Sequence, residues 1–226
     1  MLSEDRSEKG CSIATTTLVE ATWRRVFSGG YRVLAWHDRA AHRYVVVAPQ
    51  APPVRGSLST RQRRILAMRA RGTALKVIAF ETGLSVGTVS RDLSLAMDVL
   101  GLGSLSDLAA VLGHALERPS AGEPPCPEGL AIAPHETEPE ALVLSFPLTA
   151  PGGRLAAHLT PAERAVVDGI LAGLPNREIA EQRGVSPRTI ANQISSIFAK
   201  LHVGSRLTLA LTVHGPKLCV HGGAGA

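Results

Sequence analysis

Apolar positions recur at helical spacing through two long stretches of the chain and alternate with polar ones in two short stretches. From Leu159 onward, Val166, Val167, Ile170 and Leu171 form an i, i+1, i+4, i+5 stripe, the signature of one buried helix face. Just ahead, Thr160-Pro161-Ala162-Glu163 sets a hydroxyl, a proline and a carboxylate where a helix start needs acceptors for its orphan amides. A second helix is predicted after Asn176, with Ile179 and Ala180 inward, ending at Gly184, which tolerates the positive φ of a tight turn. Ser186 caps and Pro187 opens a third helix running to about Leu201, with Ile190, Ile194, Ile197 or Phe198, and Leu201 buried; a fourth begins near Ser205. Near the start, Thr15 to Phe27 predicts a helix with Leu18, Val19, Trp23, Val26 and Phe27 on one side, stopped by Ser28-Gly29-Gly30. Tyr31 to Trp36 and His42 to Ala48 predict strands joined by a polar turn over 37–41.

The helical pattern occurs twice. Shifted by 101 residues, the segment from Leu58 superposes without a gap on the segment from Leu159, with 14 identities over 52 positions. They include Gly72/Gly173, Ile78/Ile179, Ala79/Ala180, Gly83/Gly184, Ser85/Ser186, Thr88/Thr189 and Ser104/Ser205. The chain therefore reads as a duplication of one trihelical unit with a fourth helix appended. Between the repeats, PSAGEPPCPEG and APGG break helix and strand alike, so the stretch reads as a linker. It carries one apolar island at 141–146, a short strand able to join the hairpin's sheet. The expected organisation is an N-terminal helix and hairpin (1–57), a first helical repeat (58–112), an acidic Pro/Gly-rich linker (113–158), a second repeat (159–214) and a flexible tail (215–226). The fold class is mainly α with a small N-terminal α+β element.

Composition narrows the function. At 226 residues with 45% hydrophobic and 19% charged side chains, the chain has the apolar content to close its cores. No apolar run approaches the roughly 20 residues of a membrane span, and the polar N-terminus lacks a signal-peptide pattern, so a cytoplasmic protein is expected. Cys11, Cys126 and Cys219 are scattered and odd in number, which predicts reduced thiols. His214, Cys219 and His221 lack a second ligand pair, and no metal site or cofactor is expected. No phosphate loop, HExxH or nucleophile elbow is present, so no enzymatic activity is expected. Net charge is +5, with Lys and Arg outnumbering Asp and Glu in both repeats and the reverse between them, which favours polyanionic partners.

Two short helices joined by a glycine-centred turn make a helix-turn-helix, whose second helix fits the major groove of duplex DNA. On the third helix of the second repeat, the buried stripe leaves Arg188, Ala191, Asn192, Ser195 and Ala199 on the opposite side. With LTPAE, GLPNREIA, GVSPRTI and KLHVGSR in order, about 52 residues of this repeat resemble the LuxR/FixJ-type DNA-binding domain of bacterial transcription regulators. The first repeat keeps IAFETGLSVGTVS and LGLGS but has Val77 and Val99 where the second has Glu178 and Lys200, and it resembles the family less strictly. The layout resembles LuxR-type regulators with two tandem motifs.

The resemblance implies double-stranded DNA as partner. Ser186, Arg188, Thr189 and Lys200 would contact phosphate; Ala191, Asn192 and Ser195 would face the bases, Asn192 having the paired donor and acceptor that suits adenine. The corresponding positions of the first repeat are Gly87, Thr88, Ser90, Arg91 and Ser94, of which Arg91 suits guanine. The fourth helix, Leu207 to Val213, resembles the family's dimer surface, so either a homodimer or an intrachain pseudo-dimer is expected. A free linker would let both repeats reach successive half-sites. The alternative is an adaptor that touches RNA polymerase, a sigma factor or another regulator without an operator of its own. Other features have structural readings beside functional ones. Glu178 reads as a packing charge, Arg61, Arg63, Arg64, Arg69 and Arg71 as either a phosphate grip or a solvated face, and Trp23, Trp36, Tyr31 and Tyr44 as a mini-core. Only 57 residues precede the first repeat, too few for a phospho-receiver or an autoinducer-binding domain there.

Overall fold

The computed structural model describes residues 18–50, 57–113, 126–148 and 159–214. Thr15, Cys11, Cys219, His221, the expected tail and most of the breaker-rich stretches lie outside these residues. The described residues form two compact units, one made of 18–50, 57–69, 73–102 and 126–147, the other of 70–72, 103–113, 148 and 159–214. The described residues are predominantly helical, with one small antiparallel sheet among them.

The first unit opens with α1 (18–27), whose Trp23, Val26 and Phe27 are buried as the apolar spacing predicts, while Leu18, expected on the same side, is 67% exposed at the first described turn. It stops at Gly29, with φ +86, where a Cβ would sit 2.8 Å from a methyl of Val99. Strands β1 (Tyr31–Arg39) and β2 (His42–Pro49) follow, longer than their sequence pattern because the ladder continues to Arg39 opposite His42. The connecting residues are Ala40 and Ala41, with φ of 49 and 62, a conformation that turns of this length usually give to Asn-Gly. Cross-strand chemistry holds the hairpin end together. Arg43 is fully buried, donates to both Asp38 carboxylate oxygens at 2.7 and 2.8 Å, and lies 5.0 Å over the Trp36 ring.

Within 113–158 the apolar island expected as a short strand joins the hairpin's sheet, and a further strand that the sequence did not mark lies beside it. Residues within 113–158 supply two strands, β3 (Ala131–Pro134) and β4 (Leu142–Pro147), giving a sheet in the order β1-β2-β4-β3. β4 pairs along β2 from His42↔Pro147 to Val47↔Leu142. Val45, Val47, Leu144 and Phe146 then share the buried face, and closing that face is worth more than leaving a two-stranded hairpin with one side wet. The sheet is therefore not confined to the N-terminal segment.

Helices α2 (Thr60–Ala70), α3 (Leu75–Thr82) and α4 (Val86–Leu100) pack through Ile65, Leu66, Ile78, Val89, Leu93, Ala96 and Leu100. The second unit holds α5 (Leu105–Leu112), α6 (Pro161–Leu171), α7 (Asn176–Arg183), α8 (Pro187–Lys200) and α9 (Arg206–His214). Its core is Val166, Val167 and Ile170 of α6, Ile179 and Ala180 of α7, Ile190, Ile194 and Ile197 of α8, and Leu209 of α9. Gly169 fits against Ile179, where a Cβ would come within 2.9 Å of its side chain. α5, the last helix of the first repeat in sequence, lies in this unit and packs on α9. No single helix among the described residues is long and apolar enough to cross a membrane.

Candidate nucleic-acid interface

The α7–turn–α8 segment is built by local rules. α7 ends at Gly184, φ 62, where the Val185 amide donates back to Ala180 and the Gly184 amide to Glu181, closing the last turn. Ser186 is extended (φ −76, ψ 149), its hydroxyl accepts from the Thr189 amide at 3.0 Å, and Pro187 takes the first helical position. The first repeat makes the same backbone. Gly83 has φ 67, Ser85 has φ −70 and ψ 151, and the Ser85 hydroxyl accepts from the Thr88 amide at 3.0 Å.

On α8, Ile190, Ile194 and Ile197 turn inward. Arg188, Thr189, Asn192, Ser195 and Ala199 are exposed and Ala191 is half-buried, so the predicted reading positions share the open side of this helix. Two of these polar groups already have local partners. The Thr189 hydroxyl lies 2.8 Å from that of Ser186, and the Ser195 hydroxyl donates to the Ala191 carbonyl at 3.0 Å. Arg188 and Asn192 carry the longest polar side chains of this face.

Lys200 sits differently from the others. Its ammonium lies 2.9 and 3.2 Å from the Glu163 carboxylate oxygens, while Glu163 also accepts from the Thr160 amide at 2.7 Å in a complete capping box. The hydrogen bonds from Lys200 and then from Thr160 hold the Glu163 carboxyl down to about 2. A phosphate at Lys200 has to compete with this carboxylate. A signal for the pair was present in the sequence, an N3 glutamate of one helix and a lysine ending another, but no local rule connects the two. Arg206 also ties the unit together, donating to the Leu174 carbonyl and the Asn176 side chain, both at 2.6 Å. Glu178 is exposed, and on α7 Arg177 pairs with Glu181 at 2.9 Å.

In the first repeat, Gly87, Ser90, Arg91 and Ser94 are exposed on α4 and Thr88 is half-buried. Asp92 turns inward and meets Arg61 Nε at 2.7 Å, so its charge is removed from the open face. The arginine group is partly committed: beside Arg61, Arg63 donates to Thr60 and Arg69 to the Thr73 carbonyl, whereas Arg64 and Arg71 are exposed. The four aromatic residues line no common site: Trp23 is buried, Trp36 lies under Arg43, Tyr31 under Arg25, and Tyr44 stacks on His37 at 5.2 Å. Cys126 is half-buried with its thiol pushed up to about 11 by burial, and no metal-binding cluster occurs among the described residues.

Comparison with known proteins agrees with this geometry. Residues 157–213 match the family described as GerE, bacterial regulatory proteins, luxR family. The second repeat is a LuxR-family helix-turn-helix domain. An HTH-type transcriptional regulator of Mycobacterium tuberculosis is 45% identical over 51 residues, 23% of this chain and 6% of that protein. Transcriptional regulatory protein FixJ of Bradyrhizobium diazoefficiens is 41% identical over 49 residues, 22% of this chain and 24% of that protein. The nitrate/nitrite response regulator protein NarL of Escherichia coli is 30% identical over 103 residues, 41% of this chain and 48% of that protein. The chain thus spans less than half the length of each of these relatives. No solved structure matches.

Proposed function

We propose that this chain is a DNA-binding regulator of transcription whose α8 enters the major groove. One observation carries the reading: α8 buries Ile190, Ile194 and Ile197 and keeps Arg188 and Asn192 on its open side, at the end of a capped turn within a LuxR-family domain. In this reading the N-terminus of α8 at Ser186 and Thr189 and the guanidinium of Arg188 anchor phosphate, and Asn192, with Ala191 and Ser195 beside it, meets the base edges. Lys200 reaches phosphate only by leaving Glu163. In the first repeat, Thr88 takes the anchoring position, Arg91 the reading position, and Gly87, Ser90 and Ser94 leave a low ridge around it.

Titration of the full chain against a random-sequence duplex at several salt concentrations tests this. Affinity should fall steeply as salt rises, and Arg188→Ala should flatten the log–log slope by about one. Chromosomal mapping of bound DNA should likewise lose its peaks in that variant. Salt-insensitive or absent duplex binding would overturn the reading.

A second reading attaches to the first repeat alone. Phe80 is 89% exposed and Val77 45% exposed, where the second repeat carries Glu181 and Glu178. Apolar residues at exposed positions of a helix-turn-helix favour contact with a protein, RNA polymerase or another regulator, over contact with phosphate. Phe80→Glu separates the two: it should leave duplex affinity nearly unchanged if the contact is with protein.

A further inference from the structure

The described residues hold a second interface that the DNA reading does not use. α5 and α9 correspond under the 101-residue shift, and they pack on each other inside the second unit. The buried cluster is Ala109 of α5 with Leu207, Ala210 and Leu211 of α9, flanked by Leu105 and Leu171. Ala109 and Ala210 are equivalent positions of the two repeats, so each repeat offers the same small residue to the same contact. A residue meeting its own equivalent marks an isologous, two-fold interface, the kind that two identical subunits make. Its edges close the contact without repeating that symmetry. The Ser106 hydroxyl donates to the Ile170 carbonyl at 3.5 Å. Gly173 lies so close to Ser104 that a Cβ would stand 2.8 Å from the serine Cβ, and its equivalent Gly72 lies against Leu211. Ala70, equivalent to Leu171, is buried as well.

We propose that α5 stands in for a second subunit: the chain is a pseudo-dimer closed on itself, and the α5-facing side of α9 does not join another copy. The sequence left a homodimer and an intrachain pair equally open; burial of Leu207, Ala210 and Leu211 against α5 removes the apolar surface that a homodimer through α9 needs. One chain then supplies the two helix-turn-helix segments that a homodimer of single-motif subunits supplies together. The occupant of α9 is a helix of the same chain, and the inference stands whether or not α8 binds DNA.

Methyl NMR on the unmodified full chain tests it. The Ala109 and Ala210 methyl groups should give a cross-relaxation peak whose intensity per labelled chain is unchanged when labelled protein is mixed with excess unlabelled protein before refolding. A peak that falls in proportion to that dilution, or no peak, overturns the proposal. A cysteine pair gives an independent readout. With the three native cysteines replaced by serine, Ala109→Cys/Ala210→Cys should oxidise to a species of monomer mass, whereas a disulfide-linked dimer would place α5 on a neighbouring chain and refute the pseudo-dimer.

Discussion

The two repeats share nearly the same turn and cap backbone and carry different surfaces. Turn glycines Gly83 and Gly184, caps Ser85 and Ser186, and buried pairs Ile78/Ile179 and Ala79/Ala180 are matched residue for residue. Yet the α2–α4 tie is Arg61 with Asp92, while α6–α8 is tied by Glu163 with Lys200. Arg188 is replaced by Gly87, and Glu181 by Phe80. The fold constrains the turn, the cap and the inward stripe, and any ion pair that joins the first and third helices serves; the open side is left to function.

The largest contrast lies where the third helices end. Gly101 (φ 74) and His202 (φ 54) are equivalent, but a Cβ on Gly101 would stand 2.5 Å from the Val33 carbonyl oxygen. Gly101→Ala should therefore destabilise the first unit by roughly 3 kcal/mol in urea unfolding. His202→Gly should stabilise the second unit by only about 1 kcal/mol, by relieving a left-handed histidine. Next comes the charge on the open faces. Arg188→Ala should weaken duplex binding by roughly 1–2 kcal/mol at low salt, and Arg91→Ala by less if the first segment faces a protein. Gly87→Arg should move the first segment toward the second. The site is exposed, with Ser85 Oγ 3.8 Å from a Cβ as its nearest neighbour, so helix stability should rise by about 0.5–1 kcal/mol and duplex affinity should rise with it. The smallest effect concerns acid. Glu163 has its folded-state carboxyl lowered from 4.5 to about 2, so it favours folding above pH 4.5 and loses that contribution as pH falls toward 2. Glu163→Gln should flatten the second unit's stability profile across that interval, with no matching change in the first unit, whose tie uses Asp92.

The helical elements were legible because their information is local. Thr160, Ser186 and Gly184 mark their boundaries by chemistry acting within one turn, and the open face of α8 follows from Ile190, Ile194 and Ile197 alone. What stayed hidden was non-local. β3 escapes because Ala131-Ile-Ala-Pro134 is too short to show alternation and sits among prolines; it becomes a strand only when β4 offers a ladder. Ala40-Ala41 carries none of the usual turn chemistry, and the hairpin end is held instead by Asp38 and Arg43. Nothing in the sequence of α5 says which unit it joins. Its apolar residues predict burial, and the partner that buries them lies a hundred residues away.

The order β1-β2-β4-β3 has a consequence during synthesis. β2 is complete at Pro49, but its second neighbour begins at Leu142, after α2 to α5 have been made. At about 5–20 residues per second, the nascent hairpin waits on the order of ten seconds with one edge unpaired while about ninety residues follow it. Over that interval β2 presents Val45 and Val47, which later share the buried face, beside an unpaired ladder edge, the combination that invites a neighbouring polypeptide to dock.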